Sequence, residues 1–373
     1  QLTPVPGGLR LDTPVHSSRR ASTPTAPGAA RPGVLTTITG PGDADWAEHT
    51  ELVEPPVGSL LPWLLAVRSQ ARGRSAFVGL GTIGFADRYR DLLAAALIRR
   101  TVPGVRVVIA DATFEPASRR AAARSGLLGR FASRITPAAA RLLIGAVDGE
   151  NVRWCVLSTA ELATFPAVWG VPAGRVRFTP FVASLDNATR DAPTRDDGFL
   201  FGGGDSLRDY DLLAAAAADT GIRLRIAADW NPRTPDPLLT AGRVPHTEFM
   251  QLLRSCRGLV LPLEVSSRSA GQQTYLNAMA LAKPVIVTDA PGVRDHIVDG
   301  VTGVIVPADV PSLRTAMAHL MDPGNAAFYA AMGVRARADV LARFTTTRYR
   351  HQLLEIAGCE QQRPVPRLRE MPP

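Results

Sequence analysis

Three stretches of this chain hold residue types and spacings that could do chemistry. The first is Phe201-Gly202-Gly203-Gly204, with Arg208 four residues on. Glycines let a backbone turn crowd against a phosphate. A guanidinium just ahead of a helix can pair with two phosphate oxygens at once. The second is Ser269-Ala270-Gly271-Gln272-Gln273-Thr274-Tyr275-Leu276-Asn277, a polar loop that enters a helix near Gly271. The start of a helix has unpaired N–H groups and about half a positive charge, which suits an anion. Gln273 and Asn277 are four apart and share a face. Their amides both donate and accept, as hydroxyl recognition requires. Tyr275 and Met279 lie on another stripe and pack. The third is Gly79-Leu80-Gly81-Thr82-Ile83-Gly84, between a strand and a helix, with Asp111 ending the next strand. The spelling is that of a dinucleotide turn, but Gly84 and Asp111 are 27 residues apart, against about 20 in that motif. We therefore read Gly81 and Thr82, with Gly40 and Gly42 of the Gly40-Pro41-Gly42 turn, as tight turns lining an acceptor side. Each stretch also has a plainer reading, as an ordinary β–α turn or a polar-capped buried helix.

The elements that must hold these residues alternate strand and helix. Expected strands are VLTTIT (34–39), SAFVGLG (75–81), VRVVIAD (105–111), VRWCVLST (152–159) and RVRFTPF (175–181). After a polar run, SLDNATRDAPTRDDG (184–198), come FLFGGG (199–204), LRIAAD (224–229), GLVLPL (258–263), PVIVTD (284–289) and a GVIVP strand. Such alternation predicts an α/β protein with two Rossmann-like, doubly wound domains facing a cleft. Ligands of such sheets sit beyond the carboxyl ends of the strands. The expected division is a poorly ordered tail (1–33), an N-terminal acceptor domain (34–183), a linker (184–198), a C-terminal donor domain (199–344), and a final helix and tail (345–373) returning to the first domain.

Composition narrows the function classes. Of 373 residues, 46% are hydrophobic and 20% charged, which excludes wholesale disorder. The longest apolar runs, such as LLPWLLAV (60–67), fall well short of the roughly 18 residues a membrane span needs. Cys155, Cys256 and Cys359 are too scattered for a disulfide framework or a zinc site, and a reducing, cytoplasmic setting fits. Asp43-Ala44-Asp45 is a poor metal site, so no metal and no bound cofactor are expected. The charge is uneven: residues 1–183 hold 21 Arg against 13 acids, whereas residues 184–373 balance. The segment 116–134 has five Arg and no acid. It favours anionic partners, and a peripheral contact with an anionic inner membrane face is the natural reading, beside that of a solvated helix face. Nucleic acid is not expected, because no aromatics interleave with these arginines as stacking platforms.

Residues 199–344 resemble the C-terminal domain of GT-B glycosyltransferases, in particular the large retaining family four. The resemblance rests on NAMALAKPVIVTDAPGVRDHIVDGVTGVIVP (277–307), the preceding VPHTEFMQLLRSCRGLVLPL (244–263) and the closing ARF (342–344). It implies a nucleotide-sugar partner as co-substrate. Donor contacts would come from Gly202, Gly203, Gly204, Arg243, Val244, His246, Ser269, Ala270, Gly271, Gln272, Gln273, Thr274 and Asn277. The family pattern places a glutamate where Asn277 stands and another where Ser269 stands. Of the basic pair that grips the diphosphate, Gly204 replaces the first member and Arg208 matches the second.

The expected reaction is transfer of a sugar from a nucleoside diphosphate to a lipid-linked or small-metabolite acceptor. Arg208 and the helix start at Gly271–Gln273 would stabilise charge on the leaving phosphate. Retention of configuration is implied by the resemblance alone, and no catalytic base stands out. A sugar-nucleotide epimerase of the same fold, a dinucleotide-dependent oxidoreductase, and a donor-binding subunit without catalysis remain open alternatives.

Overall fold

The computed structural model describes residues 33–39, 44–56, 58–81, 89–114, 138 and 140–359. The tail before residue 33, Gly40, Gly42, Thr82 and the arginine-rich segment 116–134 lie outside the described residues.

Twelve strands among these residues form two six-stranded sheets. The first takes the order β2-β1-β3-β4-β5-β6, from β1 (Val34–Thr36), β2 (Thr50–Leu52), β3 (Ala76–Leu80), β4 (Arg106–Ala110), β5 (Val152–Val156) and β6 (Val176–Phe178). The second takes the order β12-β11-β10-β7-β8-β9, from β7 (Leu200–Gly203), β8 (Leu224–Ala227), β9 (Leu239–Gly242), β10 (Gly258–Leu261), β11 (Val285–Thr288) and β12 (Val304–Val306). All pairings of the second sheet are parallel, as are those linking β1 to β5. Continuous apolar runs such as Phe77-Val78, Val107-Val108-Ile109 and Leu259-Val260-Leu261 make this architecture. Strands covered on both faces have no solvent side to mark with polar residues. The sequence reading lacked β2 and β9. Both are short and partly exposed, so neither carries the apolar run of a central strand.

The described residues divide into two compact units, one of residues 33–112, 142–155 and 350–359, the other of 113–114, 138, 140–141 and 156–349. In the first, the final helix Thr346–Ala357 contributes Arg350, whose guanidinium lies 5.3 Å from the Trp46 ring centroid. His351 pairs with Asp45 at 3.0 Å, and Arg106 donates to the Ile356 carbonyl at 3.2 Å.

In the second unit, two apolar clusters flank the β7–β12 sheet. Helix Gln272–Ala280 is buried on nearly every side against one, and helices Tyr210–Ala217 and Val310–Met321 cover the other. The polar run 184–198 is tied to this unit throughout. Arg195 N–H donates to the Arg254 carbonyl, Asp197 N–H to that of Ser255, and Arg257 pairs with Asp196. Lys283, the only lysine in the sequence, is buried and donates from Nζ to the carbonyls of Arg195 and Cys256, both at 2.7 Å.

Candidate functional site

Parallel pairing sends the turns after β7, β8 and β10 out of the same edge of the second sheet. Within β7, Gly202 and Gly203 are packing glycines. A Cβ on Gly202 would meet Leu213 at 3.1 Å, and one on Gly203 would meet the Phe249 ring at 2.5 Å. Gly204 is different: its φ is +94°, and its N–H donates to the Ala227 carbonyl at 3.1 Å. The Tyr210 hydroxyl donates to its carbonyl at 2.5 Å.

This turn delivers Arg208, only 3% exposed, into the site. Its guanidinium lies 3.5 Å from where a Cβ on Gly204 would stand and 3.3 Å from where one on Gly271 would stand. Both glycines have left-handed backbones, so the cation sits between two chain segments stripped of side chains. Arg208 Nη1 also donates to the Ser206 carbonyl. Burial pushes the guanidinium pKa down, against a pull from Tyr210; the like charge of Arg268 adds to the fall.

Helix Gln272–Ala280 begins at this cation. Its N-cap is Gly271 (φ +89°), with no side-chain cap. The first N–H groups of the helix thus face the site without a side-chain acceptor. Gln272 is 5% exposed, and its Nε2 has no hydrogen-bond partner among the described residues. A Cβ on Gly292 would stand 3.5 Å from that nitrogen, and the Thr274 hydroxyl is 3.7 Å from the corresponding point on Gly204. The buried guanidinium thus stands at an uncapped helix start, and the unsatisfied Gln272 amide lies on the Gly292 side of that helix.

The other expected donor residues are disposed differently. Asn277 Oδ1 accepts from the Ser184 N–H at 2.9 Å, and Asn277 Nδ2 donates to the Ser184 hydroxyl at 3.1 Å. Gln273 Nε2 donates to the same hydroxyl at 3.1 Å. The shared helix face read from the sequence exists, and residue 184 of the chain itself occupies it. Arg243 pairs with Asp229 at 3.1 Å, and the Asp229 N–H donates to Asp205 at 2.6 Å, so Arg243 reaches the turn after β7 indirectly. Val244 packs on the apolar cluster, and His246 is exposed at the first residue of helix His246–Ser255. Ala270 and Ser269 are buried.

The sequence reading missed Glu161, Ser184, Arg268 and Gly292. Ser269 Oγ donates to Glu161 Oε2 at 2.7 Å, and Ser158 Oγ donates to the same oxygen at 2.8 Å. Burial raises the Glu161 pKa, partly offset by the hydrogen bonds from Ser269 and Ser158. Arg268 donates to Ser206 Oγ at 2.6 Å. Gly292 (φ +85°) fits where a Cβ would strike Ser269 at 2.7 Å and Ser158 at 2.8 Å. Beside it lies a cavity of about 370 Å³ lined by Thr159, Ala160, Asp289, Gly292 and Asp295, among others. Ser158-Thr-Ala-Glu161 has the spelling of a capping box, the one signal that could have drawn attention to Glu161.

In the other unit, Gly81 at the end of β3 packs against the backbone at the end of β4. The Gly81 N–H donates to the Ala110 carbonyl at 2.7 Å, and a Cβ there would meet Ala112 Cα at 2.9 Å. Asp91, fully buried, accepts from the Leu80 N–H at 2.8 Å and from the Thr37 hydroxyl. Among the described residues no three His, Cys, Asp or Glu side chains gather as a metal site, and no helix is long and apolar enough to cross a membrane.

Comparison with known proteins bears on the fold. Residues 211–323 match the family model described as "Glycosyl transferases group 1". No curated protein matches the chain in sequence. Among solved structures, Anabaena Alr3699/HepE in complex with UDP-glucose is similar over 87% of this chain and 98% of its own, at 11% identity and a TM-score of 0.55. A glycosyltransferase from Rickettsia africae is similar over 83% and 84% of the two chains, at 10% identity and a TM-score of 0.55. Sucrose-phosphate synthase from Thermosynechococcus elongatus is similar over 82% of each, at 16% identity and a TM-score of 0.53. The fold is the two-domain α/β GT-B fold.

Proposed function

We propose that the chain is a glycosyltransferase that moves a sugar from a nucleoside diphosphate to an acceptor, with the diphosphate bound between Gly204, Arg208 and the start of helix Gln272–Ala280. The observation that carries this reading is the buried Arg208 guanidinium, lodged between two left-handed glycines at an uncapped helix start. As the bond to the sugar breaks, negative charge grows on the leaving phosphate. A fixed, buried cation and helix N–H groups stabilise that charge without reorganising. These groups supply the role a divalent cation would otherwise fill, so the reaction proceeds without metal. The neighbours' UDP and UDP-glucose complexes support a uridine nucleotide as first candidate. Retention follows from the resemblance of residues 277–307 to retaining enzymes. The acceptor is a hydroxyl-bearing lipid-linked or small molecule held by the unit that contains β1 to β4, and the chain works in the cytoplasm.

The test is a donor screen read as nucleotide release. UDP-, GDP-, ADP- and TDP-sugars are incubated with the protein, with and without lipid-linked and small hydroxylated acceptors, in the presence of chelator. Acceptor-dependent release of one nucleotide is the expected result. Release without acceptor would point to hydrolysis, and conversion of the nucleotide sugar to an isomer with no nucleotide released would point to epimerisation.

One observation favours a second reading, a donor-binding subunit without turnover. Asn277 and Ser269 stand where the resembling family has glutamates, so neither position offers a carboxylate. Calorimetric binding of a nucleotide with no turnover toward any acceptor would select this reading.

A further inference from the structure

The loop between β10 and helix Gln272–Ala280 has no regular structure of its own, yet it sets where the helix begins. On one side Arg268 fastens it to Ser206 in the turn after β7. On the other it is fastened to helix Thr159–Trp169, more than a hundred residues earlier in sequence. Thr164 Oγ1 donates to the Ser267 carbonyl at 2.9 Å, and Ser269 Oγ donates to Glu161 at 2.7 Å. The Ser269 backbone also hydrogen-bonds to the same carboxylate. Glu161 is 1% exposed, and Ser269 is equally buried. Gly292 closes over the contact so tightly that no Cβ fits between Ser269 and Ser158.

We infer that Glu161 is a positioning residue for the nucleotide site: by holding Ser269 it fixes Gly271, and through Gly271 the helix start and the seat of Arg208. The inference deepens the proposed donor site and rests on it. Ser269 stands two residues before the N-cap Gly271, and the Arg208 guanidinium lies 3.3 Å from the Cβ position of that glycine. A displacement at Ser269 therefore reaches the cation through two peptide units. A cap alone does not call for a carboxylate here. Burial raises the Glu161 pKa, partly offset by the hydrogen bonds from Ser269 and Ser158, so ionising this acid costs stability in the folded chain.

The experiment is calorimetric titration of UDP, GDP and ADP into wild type, Glu161→Ala, Glu161→Gln, Ser269→Ala and the double variant Glu161→Ala/Ser269→Ala, with melting temperatures recorded alongside. For whichever nucleotide the wild type holds, Glu161→Ala should raise Kd roughly tenfold, the size expected for a lost hydrogen bond to a charged group. Glu161→Gln should restore most of the affinity, because its carbonyl still accepts from Ser269, and it should melt no lower than wild type. The double variant should bind no more weakly than Glu161→Ala alone, since both changes cut one connection. Wild-type affinity in a folded Glu161→Ala, or additive losses in the double variant, would overturn the inference and leave the donor site standing. If Glu161→Ala does not fold, Ser269→Ala carries the test: wild-type affinity in the folded Ser269→Ala variant would overturn the inference. Failure of the wild type to bind any of the three, or TDP titrated in the same way, would remove the donor site and this inference together.

Discussion

The turn after β3 and the turn after β7 are both glycine-rich, both follow a buried parallel strand and both precede a helix. Around Gly81 the space a side chain would need is taken by the backbone of Asp111 and Ala112. Around Gly204 it is taken by the end of an arginine side chain and a threonine hydroxyl. The first glycine allows two strands' ends to pack; the second leaves room for charge. A glycine pattern specifies close approach, and only the neighbour decides whether a ligand or the chain itself does the approaching.

The comparison can be broken most directly at the cation. Arg208→Ala should lower turnover by roughly 10²–10³, the loss typical of removing one preorganised stabiliser of developing charge. Near-native turnover in steady-state assays would strip the β7 turn of its distinction. Smaller effects should separate the two glycines. Gly81→Ala forces a methyl against backbone and should cost roughly 1–3 kcal/mol of stability, with nucleotide Kd unchanged. Gly204→Ala carries a similar penalty, about 1–3 kcal/mol, from its positive φ, and should weaken nucleotide binding as well. Denaturant melts paired with calorimetry would show whether affinity is lost at one site, both or neither.

The smallest effect concerns pH. His296, in the same unit as Arg208, is buried, and burial lowers its pKa. Its unfolded form gains a proton below about pH 6.5 while the folded form does not. Stability of this unit should therefore be full above that value and decline as pH falls from it toward the lower folded pKa. His296→Gln should flatten this dependence. A melt that resolves the two units should show the acid-sensitive transition in the β7–β12 unit.

Much of this difference was legible in sequence on the β7 side. GLVLPL reads as the buried strand that became Gly258–Leu261, and the amide-rich stretch after it reads as the helix start at Gln272. Gly204 and Arg208 are close in sequence, so their pairing follows from one turn. The contacts that escaped are those whose partners are remote. Glu161 lies 108 residues from Ser269, and Ser184 lies 93 from Asn277. Neither serine nor asparagine announces its partner by type, because each can bond equally well to many groups. Strand β9 escaped for a local reason: Leu239-Thr-Ala-Gly242 is half-exposed at a sheet edge and has no apolar run.

The buried lysine offers a use of its own. Only one side-chain amine exists in the sequence, and in the folded protein it is sequestered with both carbonyl partners at 2.7 Å. An acylating reagent that modifies amines would find that nitrogen only when the β7–β12 unit opens. The rate of labelling at residue 283, followed by mass spectrometry, is thus a clock for opening of that unit, installed by the native sequence and requiring no engineered reporter.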